Sequence, residues 1–272
     1  MPTHDELKAR AAATYNAASD WYDSPDNTFW ERFGRRTVER LALQPGMRVL
    51  DVCSGTGASA IPAAEAVGPS GRVIANDISE RLLALLSHKA ERRGLGQLEC
   101  RLQDLMTLDL GERFDAVVCV FGIFFVADMV EGIRRVWTHV QPGGALAITT
   151  WGPRLFEPVN SVFWESVRAE RPDLYKGFNP WDTITEPEAL RDLLSRAGVT
   201  NPTIATESAT HPLPSPESWW ALVQGSGYRG TLEQLSDDGR ERVKQRNLEF
   251  VRAHRVTEVE TNVVYAVARR VE

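Results

Sequence analysis

The chain has 272 residues, 43% of them apolar and 25% charged, with a formal net charge of −6. This length suits one large domain with insertions, and the acidic balance argues against nucleic acid as a partner, because phosphate binding normally needs a basic surface. The sequence shows neither an apolar run of about 20 residues, as a membrane span requires, nor a signal-peptide pattern, so we expect a cytoplasmic protein.

Strand and helix patterns alternate along the chain, which predicts a parallel sheet with helices on both faces. The elements predicted in chain order are helices over 5–23 and 29–43, a strand over 48–52, a strand over 72–75, a helix over 79–93, strands over 98–102 and 116–121, a helix over 129–139, a strand over 145–150, helices over 159–169 and 187–197, a strand over 203–208, helices over 216–223 and 231–254, and a last strand over 261–268. The last strand alternates loosely, which favours an antiparallel partner at the sheet edge.

The most informative stretch is Val49–Gly57, an apolar strand that ends in Asp51 and a glycine turn. Glycines allow a backbone to approach a ligand closely, and the helix that follows offers unpaired N–H groups. Two further acids, Asp77 and Asp104, follow the next two predicted strands. Such a turn suits a nucleotide or nucleoside.

Five motifs then agree in order and spacing with one enzyme family: Val49–Gly57, Gly71–Ser79, Gln103-Asp104, Phe114–Val118 and Val140–Gly144. The chain resembles the class I S-adenosylmethionine-dependent methyltransferases. It is most similar to the small-molecule branch that includes ubiquinone/menaquinone biosynthesis and natural-product enzymes. The resemblance implies an α/β fold: a Rossmann-like three-layer sandwich whose seven-stranded, mostly parallel sheet has an antiparallel last strand, with a helical cap insertion.

The resemblance also implies one methyltransferase domain over 1–272. Its expected parts are an N-terminal helical segment over the cofactor (1–45), a cofactor-binding core (46–151), two segments that complete the sheet (152–210 and 257–272) and the cap (211–256).

By resemblance, the cofactor is S-adenosylmethionine and its product S-adenosylhomocysteine. Asp51 would organise the glycine loop and the ammonium of the cofactor tail, Asp77 would accept from the ribose hydroxyls, and Asp104 from the adenine amino group. The full set of expected cofactor-binding residues is Tyr22, Asp51, Cys53, Ser54, Gly55, Gly57, Asp77, Ile78, Asp104, Leu105 and Val120. Cys53 stands where the family usually has the first of three alternating glycines.

We expect the acceptor to be a small aromatic or hydrophobic molecule that is methylated on oxygen or carbon. The residues expected to bind it are aromatic: Phe29, Trp30, Phe121, Phe125, Trp181, Trp219, Trp220 and Tyr228. Tryptophans in the cap suit either a lid over a flat acceptor or a second small core. For Phe29 and Trp30 the alternative is packing on the sheet.

The predicted catalytic base is His211, because methyl transfer to oxygen benefits from a positioned base. We predict no metal site, since no cluster has zinc-like spacing and no group of acids suits magnesium. Residues 119–122 lack the Asn-Pro-Pro-aromatic motif of amino-methylating relatives.

Two other interpretations of the sequence remain open. A nicotinamide-dependent oxidoreductase would share the strand, glycine turn and acid, but its G-x-G-x-x-G fingerprint is not completed, because Ala58, Ser59 and Ala60 follow Gly57. A non-catalytic protein would keep the fold as a binding module.

Overall fold

A computed structural model describes residues 3–271; the predicted domain also includes residues 1, 2 and 272, which lie outside this part. The strands within it are β1 (Arg48–Val52), β2 (Arg72–Asp77), β3 (Leu98–Leu102), β4 (Phe114–Val120), β5 (Val140–Trp151), β6 (Thr203–Glu207), β7 (Thr210–Pro212), β8 (Glu258–Glu260) and β9 (Val263–Arg269). Seven of these described strands form one sheet in the order β3-β2-β1-β4-β5-β9-β6, and β7 pairs with β8. The sheet is parallel except for β9, which is antiparallel to both of its neighbours.

Helices cover both faces of the sheet. They are α1 (His4–Tyr22), α2 (Phe29–Glu39), α3 (Ala60–Val67), α4 (Glu80–Arg92), α5 (Met129–Thr138), α6 (Val159–Glu170), α7 (Pro187–Arg196), α8 (Pro216–Gln224), α9 (Arg229–Leu232) and α10 (Asp237–Ala253). Among residues 3–271, no helix combines the length and apolar composition that crossing a membrane requires.

The order of the strands fixes where a ligand can bind. β1 and β4 are buried, because parallel strands in the middle of a sheet are covered on both faces. The chain runs from β1 outward to β2 and β3, and then returns to the other side of β1 as β4. Ligands of open α/β sheets bind outside the carboxyl ends of the strands at such a reversal.

The structure confirms the predicted fold class, including the antiparallel last strand. The prediction that this strand lies at the sheet edge is wrong, because β9 is inserted between β5 and β6, and β6 forms the edge. Val263, Val264 and Tyr265 are each 1% exposed, so neighbouring side chains on opposite faces of β9 are both covered. An edge strand would leave more of that apolar surface in water.

The cap region contains three helices, α8 to α10, where the sequence predicts two. Its base is closed by the short pairing of β7 with β8, in which His211 lies opposite Val259. α10 packs against α6 and α8, so the cap helices share a core with the helix that follows β5.

One glycine brings α2 against the loop that follows β1. A Cβ added to Gly34 would lie 2.2 Å from the carbonyl oxygen of Ala58, far inside van der Waals contact. The backbone of this loop therefore touches the helix directly. This close contact packs the N-terminal helix α2 directly against the glycine turn that follows β1.

We expect Gly34→Ala to lower the free energy of unfolding by about 1–3 kcal/mol, because overpacking forces the helix away from the loop. Gly96→Ala is the matched control, since an added Cβ there meets no atom within 4 Å; its effect should stay within about 0.5 kcal/mol. Urea unfolding measures both. Equal stability of the two variants would contradict the close contact.

Candidate active site

A cleft lies at the carboxyl ends of β1 to β4, where the strand order reverses. Its lining residues are His4, Lys8, Ala11, Tyr15, Tyr22, Trp30, Cys53, Gly55, Asn76, Asp77, Ile78, Leu82, Gln103, Asp104, Leu105, Val120, Phe121, Gly122, Phe125 and Val126. Most of the expected cofactor-binding residues are in this set.

The loop after β1 forms the floor of the cleft. Cys53 and Gly55 have φ angles of 57° and 53°, so the backbone turns sharply through the left-handed region. A Cβ on Gly55 would lie 3.1 Å from the Tyr22 hydroxyl, which shows how closely α1 covers this loop. Gly57 does not line the cleft: a Cβ there would lie 2.3 Å from Cδ1 of Leu86 on α4, so this glycine permits packing below the loop.

Asp77 joins the ends of β1 and β2. Its Oδ2 accepts a hydrogen bond from the Gly55 N–H at 2.8 Å, and its Oδ1 accepts one from the Ser79 N–H at 2.8 Å. A carboxylate has about four acceptor positions, so each oxygen retains capacity for a ligand donor. Burial raises the pKa of Asp77, and the backbone donors limit that rise.

Asp51 lies below the cleft and does not line it. The side chain is 1% exposed, its Oδ2 accepts from the Ser59 hydroxyl at 2.7 Å, and its Oδ1 has no hydrogen-bond partner within residues 3–271. The hydroxyl oxygen of Ser54, also outside the lining, is likewise buried with no partner in that range. Burial raises the pKa of Asp51 to about 7.

Asp104, just after β3, is paired with α1. It accepts from the Met106 N–H at 2.9 Å, and His4 Nε2 and Lys8 Nζ lie 2.7 Å and 3.4 Å from its Oδ2. Burial acts to raise the pKa of Asp104, but these hydrogen bonds outweigh it and the pKa lies below its usual value. His4 and Lys8 were not among the predicted site residues. No local sequence pattern indicates the contact between His4 and Asp104, which are 100 residues apart.

Aromatic side chains form a wall of the cleft. The rings of Tyr22 and Trp30 are stacked at 5.1 Å with 3° between their planes, and Phe121 lies edge-on to Trp30 at 5.7 Å. Tyr15 packs edge-on against Phe125 at 5.4 Å. All five line the cleft, which therefore brings together three of the eight expected acceptor-binding residues, Trp30, Phe121 and Phe125.

The other five are not among the residues that line this cleft. Phe29 and Trp219 are 0% exposed and Trp220 is 8% exposed, and all three pack in the core. Trp181 and Tyr228 line a separate cavity beside the cap. The cap tryptophans Trp219 and Trp220 therefore share one core with the aromatic side chains of α2 rather than forming a second one.

His211, the predicted catalytic base, is likewise not among the residues that line the cleft. It is 2% exposed on β7, its Nε2 lies 2.6 Å from the carbonyl oxygen of Asp26, and its ring packs edge-on against Phe29. Burial lowers its pKa. The ring joins the base of the cap to the segment before α2.

Similar proteins identify the chemistry. A protein-family model of a methyltransferase domain matches residues 49–144. Demethylmenaquinone methyltransferase of Geobacillus kaustophilus is 32% identical over 159 residues, which cover 56% of this chain and 68% of the relative. Nocamycin O-methyltransferase of Saccharothrix syringae is 28% identical over 249 residues, which cover 86% of this chain and 88% of the relative.

The chain belongs to the class I S-adenosylmethionine-dependent methyltransferases. The family confirms the predicted enzyme class and the cofactor, S-adenosylmethionine, and it does not fit the nicotinamide alternative. A third relative, the ubiquinone/menaquinone biosynthesis C-methyltransferase of Cronobacter sakazakii, is 28% identical, and the match covers 56% of this chain and 60% of the relative.

Solved structures of other proteins have the same fold as this chain. The [4+2]-cyclase SpnF superposes with a TM-score of 0.61 at 18% identity, covering 100% of this chain and 98% of that one. Phosphoethanolamine N-methyltransferase 2 of Haemonchus contortus, in complex with phosphomonomethylethanolamine and S-adenosylhomocysteine, has a TM-score of 0.59 at 15% identity, covering 100% and 61%.

We expect the buried acid of this methyltransferase to make its stability depend on pH. The pKa of Asp51 in the folded protein, about 7, lies above its ordinary value of 3.8. The stabilisation that Asp51 gives to the folded protein is therefore complete below pH 3.8 and is lost as the pH rises through 7. Relative to Asp51→Asn, the wild type should lose about 2–3 kcal/mol of unfolding free energy between about pH 5 and 8. Urea unfolding at both pH values tests this, and a pH-independent difference would contradict it.

Proposed function

We propose that this methyltransferase methylates an oxygen or carbon of a small aromatic or hydrophobic metabolite. The observation that carries the proposal is one cleft whose lining combines acids with an aromatic wall. Tyr22, Trp30, Phe121 and Phe125 form that wall. The relatives named for menaquinone, ubiquinone and nocamycin enzymes agree with an acceptor of this class.

The acids at the strand ends fit the adenosyl part of the cofactor. In the proposed arrangement Asp77 accepts hydrogen bonds from the ribose hydroxyls, and Ile78 packs on the adenine ring. Asp104 accepts a hydrogen bond from the amino group of the adenine, beside the Leu105 N–H. Both carboxylates retain acceptor capacity beyond their protein partners. The backbone of Cys53 and Gly55 borders the tail, with Val120 at the end of β4.

The buried polar atoms below the loop fit the tail of the cofactor. Asp51 Oδ1 and the Ser54 hydroxyl lack partners in the described chain, and an unpaired buried polar group costs about 1–3 kcal/mol. A ligand ammonium near Asp51 would stabilise its ionised form. The N-terminal helices would then act as the proposed cover of the cofactor, since His4, Lys8 and Tyr15 line the cleft from that side.

The bound cofactor supplies a methyl group on a positively charged sulfur. The faces of the stacked Tyr22 and Trp30 rings are a favourable surface for a cation, and their burial excludes water from the acceptor side. Phe121 and Phe125 would hold a flat acceptor between them and this pair. Orientation of the reacting atoms by such walls is a large part of the rate enhancement.

Among residues 3–271, the groups beside this wall do not give an acceptor a strong base, since the lining histidine, His4, is paired with Asp104. Burial raises the pKa of both Tyr15 and Tyr22, so their hydroxyls stay protonated. The pKa of Cys53 is raised by its hydrogen bond with Cys119 and by burial. An acceptor that ionises readily by itself, such as a phenol or an enol, is therefore favoured over an aliphatic alcohol.

We expect Asp77→Asn to weaken S-adenosylhomocysteine binding about 10- to 100-fold, because charge-assisted hydrogen bonds contribute about 1.5–3 kcal/mol. Asp109→Asn is the matched control. Asp109 also accepts a hydrogen bond from the backbone N–H of the residue two positions later, Gly111, but it lies outside the cleft. Calorimetric titration measures both variants. Unchanged affinity of Asp77→Asn would refute the ribose assignment.

The proposed acceptor class is tested with S-adenosylmethionine and four probes: 1-naphthol, a cyclic 1,3-diketone, cyclohexanol and benzylamine. We expect S-adenosylhomocysteine to form with the first two, and kcat/KM to rise with pH until the pKa of the probe itself is reached. Mass spectrometry of the products reports the added methyl group. Preferred methylation of the alcohol or the amine would contradict the proposal.

A further inference from the structure

A second cavity lies beside the cap, on the other side of an aromatic layer from the cofactor cleft. Its space is about 760 Å³, and it is bounded by the segment after β5, by α6 and by the loops between residues 172 and 184. Trp181 in its lining packs on Phe124 at 5.4 Å, Phe124 packs on Phe125 at 4.8 Å, and Phe125 lines the cleft. The two spaces are therefore joined by three rings in contact, with Phe124 between Trp181 and Phe125.

One wall of this cavity is an ordered polar network. The Tyr228 hydroxyl donates to Asn160 Oδ1 at 2.6 Å, and Asn160 Nδ2 donates to Glu157 Oε1 at 3.2 Å. Burial raises the pKa of Tyr228, so its hydroxyl keeps the proton that it donates. The hydroxyl oxygen and the second amide hydrogen of Asn160 remain available to a ligand.

The opposite side carries charges of both signs. Asp182 is fixed by the Asn179 N–H, which donates to its Oδ2 at 2.7 Å, and Lys176 lies above the Trp164 ring with Nζ 5.5 Å from the centroid. With Glu157 and Arg154, two acids and two bases line the space. This balance disfavours a ligand with a net charge.

The cavity thus presents hydrogen-bond donors and acceptors together, beside the flat rings of Trp164, Tyr175 and Trp181. A hydroxyl is a neutral group that both donates and accepts. A ring bearing several hydroxyls can use such a wall while its apolar face lies on an aromatic side chain.

We infer that this cavity binds a neutral, hydroxyl-rich ring, such as a glycosyl group, carried by the methyl acceptor. The inference rests on the proposed function and refines it. The acceptor would be amphipathic, with its reacting aromatic part at Phe121 and Phe125 and its hydroxylated part in the cavity. Small movements of the ring layer formed by Phe124 and Trp181 would connect the two spaces.

The test compares 4-hydroxyphenyl β-D-glucoside with 4-methoxyphenol, which lacks the sugar, by calorimetric titration of the enzyme saturated with S-adenosylhomocysteine. The wild type should bind the glucoside at least tenfold more tightly. Asn160→Leu and Lys176→Met should each reduce this preference at least threefold. Lys244→Met, on the exposed face of α10 with its Nζ beside Glu241, is the matched control and should keep it.

No preference of the wild type for the glucoside, or a preference unchanged in both variants, overturns the inference. Lys176 is exposed, so its replacement does not threaten folding even if Asn160→Leu unfolds the chain. Failure of the wild type to bind S-adenosylhomocysteine would instead contradict the proposed cofactor site. The two failures are therefore distinguishable, because each is measured with its own ligand.

Discussion

The hydrogen bond from the Gly55 N–H to Asp77 is the contact on which the geometry of the cleft depends. β1 and β2 run parallel with Asp51 opposite Ala75, so their carboxyl ends finish side by side. The left-handed turn at Cys53 and Gly55 then brings the loop over the end of β2, where the carboxylate holds it. A backbone hydrogen bond from the Ser54 N–H to the Asn76 carbonyl oxygen, 3.0 Å long, also ties the loop to β2.

The absence of a strong base beside the aromatic wall gives the site its chemical character. The lining tyrosines are held protonated by burial, and His211 is used to join the cap to the segment before α2. Under the proposed function, such a site would act through orientation and exclusion of water. Its selectivity would then come from the shape of the pocket and from the acidity of the acceptor.

The sequence was sufficient for the parts of the fold that local patterns encode. β3 has the predicted bounds, and the cleft contains Asp77, Asp104 and the loop after β1 because strand ends in a parallel sheet converge. The position of β9 inside the sheet was not predictable, because alternation along a strand does not say which neighbours it will have. The same holds for the pairing of His4 with Asp104, which depends on how α1 crosses the sheet.

The cap shows a different limit. Trp219 donates its indole N–H to Asn247 on α10 and has no exposed surface, whereas Trp181 and Tyr228 border a cavity. All three look alike in sequence, because large aromatic side chains serve cores and binding sites equally well. Only the packing of α10 against α6 and α8 separates the two roles.

The insertion of β9 between β5 and β6 has a consequence for biosynthesis. The apolar strand β5 ends at Trp151, yet its outer partner begins only at Val263. At usual rates of translation the ribosome needs on the order of ten seconds to make the intervening chain. During that time β5 presents an open edge of unpaired backbone groups, which is a template for aggregation. Nascent chains of this enzyme should therefore depend on chaperones until the segment that carries β9 emerges.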